Sequence, residues 1–168
     1  MRITLFSALL LSLIFLPACG NRKKKHRDKC DNEMEATNKY TTERGSTVWV
    51  LVVDMLDEKP KSDPFTLIDV HVDDLNKLHL TVEYSGGCKA HEFKILGSRA
   101  ILKSLPAQRP IMITHNANGD DCRAIIREEI LVDISDFAYT KENGSEIILL
   151  IDGQRLSYIY QAPGHNDK

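Results

Sequence analysis

Between residues 66 and 84 the chain alternates apolar and polar positions with a period of two. In Thr66–Asp73, Ile68, Val70 and Val72 share one face and Asp69, His71 and Asp73 the other. In Lys77–Tyr84, Leu78, Leu80, Val82 and Tyr84 oppose His79, Thr81 and Glu83. Successive side chains of a strand leave the pleated backbone on opposite faces, so this period predicts half-buried strands. With Asp73-Asp74-Leu75-Asn76 as the turn, the two runs form a hairpin with one buried face, and His71 meets His79 across its wet side. Further short apolar runs at Thr47–Met55, His91–Leu96, Pro110–His115, Ala124–Ile134, Glu146–Asp152 and Arg155–Tyr160 read as strands joined by Gly-, Pro- and Asn-bearing connections. Asp152-Gly153 marks a tight turn. Gly97–Gln108 is the longest connection, with Arg99–Ser104 a short helix or a further strand, and Ser135–Tyr139 supplies a single helical turn. About seven short strands, with no long segment of 3.6-residue period among them, predict an all-β fold: an antiparallel β-sandwich over residues 47–162, followed by a disordered tail at 163–168. Trp49 and Tyr158 suit core and contact positions equally.

The beginning of the chain follows another pattern. Arg2, an apolar run from Ile3 to Phe15, and Leu16-Pro17-Ala18-Cys19 make the three parts of a secretory signal. The ending resembles the lipobox of bacterial lipoproteins. That resemblance implies a signal peptide at 1–18, a diacylglycerol on the thiol of Cys19, cleavage before it, and a palmitate-type acyl group on the new amino terminus. An uncleaved anchor is the competing reading, because Arg22, Lys23, Lys24, Lys25, Arg27 and Lys29 follow directly and basic residues normally stay on the cytoplasmic side. The sixteen residues from Ile3 to Ala18 fall short of the roughly 20 that a spanning helix requires, and Pro17 interrupts it. The expected location is the cell envelope, on the periplasmic or outer-membrane side, with the membrane as partner through the lipid.

Residues 19–46 are polar and aperiodic, and predict a lipidated, flexible basic tether. Next to an anionic surface each Lys or Arg of this stretch gains about 1 kcal/mol, so anionic head groups are expected contacts. The body beyond residue 31 carries more acidic than basic residues, which argues against nucleic acid as a partner. Removing the signal leaves enough chain for one domain with a single core. Cys30 lies in the tether as the odd cysteine, free or paired with another chain.

Chemistry concentrates at Cys88, His91, His115 and Cys122. His91 shares a strand face with Phe93 and Ile95, and His115 with Ile111 and Ile113, so both imidazoles point inward. Each sits at a strand end beside a turn that carries a cysteine. If the turns meet at one pole, two chemistries are open. One is a Cys88–Cys122 disulfide, natural outside the cytoplasm and worth roughly 3 to 4 kcal/mol in the chain-entropy model. The other is a Zn or Cu site using all four residues, although His-x6-Cys is not a standard ligand spacing. The two exclude each other, because a disulfide sulfur is not a thiolate. Asn116–Asp121 is rich in oxygen but lacks the spacing of a calcium loop, and side-chain capping of a turn accounts for it. Glu128 and Glu129 face opposite sides of a strand, so they make no carboxylate pair, and one of them is expected to meet Arg127 or a sheet neighbour. Hydrolase, zinc-protease and phosphate-loop motifs are absent.

Tyr84-Ser-Gly-Gly-Cys-Lys-Ala-His-Glu-Phe93, His115-Asn-Ala-Asn-Gly-Asp-Asp-Cys-Arg123 and Ile134-Ser-Asp-Phe137 together resemble a set of uncharacterised lipoproteins of Bacteroidetes-type bacteria, over roughly residues 65–160. The resemblance implies fold and location, and its pairing of each Cys with a His keeps the metal alternative open. It brings no activity, catalytic residue or resident cofactor beyond the lipid on Cys19. The expectation is a non-enzymatic binding or structural module with a protein or small-molecule partner, the alternative being a metal-binding or metal-dependent envelope protein.

Overall fold

The computed structural model describes residues 35–54 and 60–164. The signal segment, Cys19, most of the basic tether with Cys30, and the end of the tail lie outside the described residues. Among the described residues, nine strands run in the order β1 (Glu35–Thr41), β2 (Thr47–Val53), β3 (Thr66–Val72), β4 (Lys77–Gly86), β5 (Glu92–Ser98), β6 (Gln108–Asn116), β7 (Ala124–Asp133), β8 (Glu146–Ile151) and β9 (Gln154–Ile159). A single 3-10 turn, Ser135–Phe137, follows β7. No described helix is long and apolar enough to cross a membrane.

The strands form a six-stranded sheet, β1-β2-β5-β6-β8-β9, and a three-stranded sheet, β3-β4-β7. This is the expected all-β sandwich, with nine strands in place of about seven and with two parallel neighbours in place of a wholly antiparallel arrangement. β2 pairs with β5, and β6 with β8, in parallel. The cause is the route of the chain. After β2 it leaves for β3 and β4 in the other sheet and returns as β5; after β6 it leaves for β7 and returns as β8. A strand's apolar pattern shows which face is buried, not which strand lies beside it.

β1 occupies residues placed by sequence in the flexible tether. Its composition is polar, but as an edge strand it is held by its backbone pairing with β2 rather than by an apolar face. Tyr40 packs against the core, and Lys39 Nζ lies 4.9 Å from the centre of the Trp49 ring. The 99–104 segment is neither helix nor strand; Leu102 makes only an isolated bridge to Gln108.

The core lies between the sheets. Leu78, Leu80, Val82 and Tyr84 of β4, together with Ile130 and Val132 of β7, face Val48, Val50, Phe93, Ile95, Ile147 and Leu149 across it. Tyr158 is fully buried and its hydroxyl donates to Asn76 Oδ1 at 3.1 Å, so it is a core residue. Asn76 adopts φ 59° in the β3–β4 turn, and its side-chain Nδ2 donates to Gln161 O while its Oδ1 also accepts the Gln161 N–H. Trp49 points to the outer side of the large sheet, in a small cluster with Leu51, Val53, Leu96 and Met112. In β3 a bulge between Leu67 and Asp69 breaks the two-residue period: Val70 is buried, but Ile68 is 45% exposed.

Phe137 seals one end of the core. Its ring lies against Gly97, where an added Cβ would sit 2.5 Å from ring carbon Cε1. The buried Arg109 anchors the same turn, its guanidinium donating to the carbonyls of Phe137, Ser98 and Ala138. Overpacking at such a contact costs about 1–3 kcal/mol. Gly97→Ala is therefore expected to lower the unfolding free energy measured in urea by an amount in this range; an unchanged value would show that the Phe137 ring moves freely.

Candidate functional site

The β4–β5 and β6–β7 connections meet at one pole because both sheets bring their strand ends there. Gly86 of β4 is opposite Ala124 of β7, and Glu92 of β5 is opposite Asn116 of β6. Cys88 and Cys122 are joined as a disulfide with their Cα atoms 5.9 Å apart. The bond links the two connections covalently, and hence the two sheets.

Asp120 makes the second link. Its Oδ2 accepts the backbone N–H groups of Gly87, Cys88 and Lys89 at 2.9, 2.8 and 2.9 Å, and Oδ1 accepts that of Cys122 at 2.9 Å. Lys89 Nζ returns across the gap to the carbonyls of Asn118 and Gly119, while Asn118 Nδ2 donates to Ala90 O. Asn118 and Gly119 take left-handed φ values of 52° and 64°, which turn the chain so that Asp120 faces the opposite loop. The Cys122 N–H, then those of Cys88 and Lys89 and the His91 ring, hold the carboxyl well below the usual carboxylate range against the opposing effect of burial. The oxygen-rich Asn116–Asp121 stretch is thus a set of turn caps, Asn116 Oδ1 accepting the Asn118 N–H in the same way.

His91 and His115 lie behind this turn pair, each 2% exposed. His91 Nε2 is 3.3 Å from Asp120 Oδ2, and His91 Nδ1 is 2.8 Å from His115 Nε2. The approach depends on Gly86, where a Cβ would stand 2.6 Å from His91 Nε2. With Asp120 accepting from His91 Nε2, the bonding pattern assigns His91 Nδ1 as acceptor for His115 Nε2–H. His115 Nδ1 is then a bare nitrogen, and it is the buried side-chain polar atom without a hydrogen-bond partner among the described residues. Burial, followed by the neighbouring His91, pushes the His115 pKa down, with the backbone of Pro64 and Asp63 opposing.

A phenol and a carboxylate complete the cluster. The Tyr84 ring lies 4.4 Å from His91 and 5.0 Å from His115, centre to centre, and Phe93 stacks on His115 at 4.7 Å. The Tyr84 hydroxyl donates to Glu128 Oε2 at 2.5 Å, Ser46 Oγ donates to the same oxygen at 2.9 Å, and Thr42 Oγ1 bonds Oε1. Burial and the Glu128 carboxylate push the Tyr84 pKa up to about 12. Glu128 is 3% exposed, whereas Arg127 pairs with Glu83 on the outer face. Its position in step with Ile126, Ile130 and Val132 was the sequence signal for that burial.

The four residues Cys88, His91, His115 and Cys122 are therefore brought to one pole, but not around a common point. The sulfurs are bonded to each other, and the facing ring nitrogens of the histidines are engaged with each other. Among the described residues, the converging ligand atoms are instead those of Cys88, Asp120 and Cys122, within 4.8 Å of one another. His71 and His79 are direct cross-strand partners with rings stacked at 4.5 Å, held by Asp69 and Asp73.

A strap at 60–65 runs along the half of β6 that β8 leaves unpaired. Asp63 N–H donates to His115 O, Ser62 Oγ accepts from His115 N–H, and Asp63 Oδ2 accepts from Ala117 N–H. Two open grooves flank it. One, of about 620 Å³, is lined by Lys61, Asp63, Glu92, Lys94 and Asn116; the other, of about 800 Å³, by Pro64, Phe65, Leu67, Pro110 and Ile113.

No protein-family model and no curated protein matches this chain. Among solved structures it is similar to a NigD-like immunity protein from Bacteroides caccae, at 16% identity and a TM-score of 0.46, covering 72% of this chain and 68% of that one. It is also similar to a protein described as toxin-related from Parabacteroides distasonis, at 14% identity and a TM-score of 0.38, covering 74% and 86%. At these values the similarity transfers no function.

The lowered His115 pKa sets a pH dependence. The folded site keeps His115 neutral below its ordinary value of 6.5, so acid protonates the unfolded chain first and favours it. Stability is expected to fall as the pH drops below about 6.5, the ordinary value, and to fall less in His115→Gln, measured by thermal unfolding at each pH. Asp120 acts in a separate window, its contribution being lost only as pH drops through its lowered value. Equal pH slopes in the wild type and His115→Gln would remove His115 from the account.

Proposed function

We propose that the protein is a lipid-anchored component of the cell envelope whose sandwich is a non-enzymatic binding or structural module. The observation that carries this reading is the placement of the reactive groups. Asp120, His91, His115, Tyr84 and Glu128 are turned into the fold and bonded to one another or to the backbone, and the two domain thiols are spent on a disulfide. A nucleophilic or general-base site needs such groups within reach of a substrate; here they hold two loops together.

Two independent features support the location. A disulfide that pins a domain belongs to an oxidising compartment, and Leu16-Pro17-Ala18-Cys19 ends an apolar run of signal length. In this reading the lipid on Cys19 and the basic residues after it hold the chain at the membrane, and a protein or small-molecule partner engages the grooves beside the 60–65 strap. Cys19→Ser is expected to move the protein from the membrane to the soluble fraction in high-salt fractionation. Retention of the variant on washed membranes would contradict lipid anchoring.

A further inference from the structure

β7 is an edge strand of ten residues, and it lacks the irregularities that blunt other edges of the sandwich. It pairs with β4 in unbroken register, whereas the edge strands β1 and β3 each carry a register shift. It contains no proline or lysine. Natural sheets normally protect a long edge by such devices, because its open N–H and C=O groups template another strand.

The direction of those groups follows from the ladder. Ile134 N–H donates to Asn76 O on the β4 side, so even-numbered residues of β7 face β4 and odd-numbered ones face away. Asp133 N–H, at the end of the outward set, donates to the Tyr40 hydroxyl at 3.1 Å. Among the described residues, no bond reaches the backbone of Ile125, Arg127, Glu129 or Leu131 from that side. The side chains of the same four residues stand on the outer face, with Ile125 74% and Leu131 54% exposed.

This outward row complements itself. Two antiparallel copies of β7, related by a twofold axis at Glu128, place Ile125 opposite Leu131 of the second copy and Arg127 opposite its Glu129. Moving the register by two residues in either direction sets Arg127 against Arg127 or Glu129 against Glu129. Facing opposite charges and apolar pairs stabilise a ladder, and facing like charges weaken it, so one register is selected. We propose that β7 is a self-association edge, through which two copies of this chain join their three-stranded sheets into one of six strands. The Glu128 side chains at the axis lie on the inner face, each held by Tyr84 and Ser46 of its own chain. Their like charge is the term that opposes the pairing and limits its affinity.

Sedimentation of the full-length chain in a monodisperse detergent tests the proposal. The wild type is expected to show a concentration-dependent dimer. Arg127→Glu and Glu129→Arg should each weaken it on the order of tenfold, and the double variant Arg127→Glu/Glu129→Arg should restore it. Leu131→Lys should weaken it as well, without loss of the thermal midpoint, because Leu131 is 54% exposed on the outer face. A chain that stays monomeric up to about millimolar concentration overturns the proposal. So does a dimer indifferent to the single charge reversals, or one that the double reversal does not rescue.

Discussion

The fold closes at one pole through a carboxylate that receives backbone N–H groups from two loops. Asp120 takes those of Gly87, Cys88 and Lys89 from the β4–β5 connection and that of Cys122 from its own. Unpaired N–H groups in a tight turn are costly when covered, and one ionised carboxylate satisfies four of them with charge-assisted bonds. The disulfide then crosslinks loops that are already in register, and its loop-closure contribution adds to an ordered geometry instead of creating it.

The buried polar cluster hangs from the same point. Asp120 fixes the proton of His91 toward itself, His91 orients His115, and Tyr84 covers both rings while its hydroxyl reaches Glu128. A polar network in a low-dielectric interior is favourable only when its members are satisfied. Among the described residues it is satisfied except at His115 Nδ1. The cluster runs from the β1–β2 turn, through Ser46 and Thr42, across Glu128 and Tyr84 to the disulfide loops, so it spans both sheets.

Much of this was legible in the chain. The alternation of Leu78, Leu80, Val82 and Tyr84 showed the buried face of β4, and the parity of His91 with Phe93 and of His115 with Ile111 placed both imidazoles inside. The pairing of His71 with His79 followed from the hairpin turn. β1 was hidden because an edge strand can be held by backbone bonds alone, and its residues are polar. The phase of β3 was half legible, since a bulge shifts Ile68 outward without leaving a mark in composition. The parallel pairs β2/β5 and β6/β8 were not legible, because periodicity assigns faces and not neighbours. The centrality of Asp120 was hidden for a similar reason: a sequence shows a carboxylate in a turn, but not whose N–H groups it will meet.

Hydrogen exchange on Asp120→Asn, with the Cys88–Cys122 bond kept intact, tests this account most directly. Asparagine retains the shape but not the charge, so the amides of Gly87, Cys88 and Lys89 should exchange faster by an order of magnitude or more, and the unfolding midpoint should fall. Unchanged protection of those three amides in the variant would mean that the disulfide alone holds the pole and that the carboxylate is incidental.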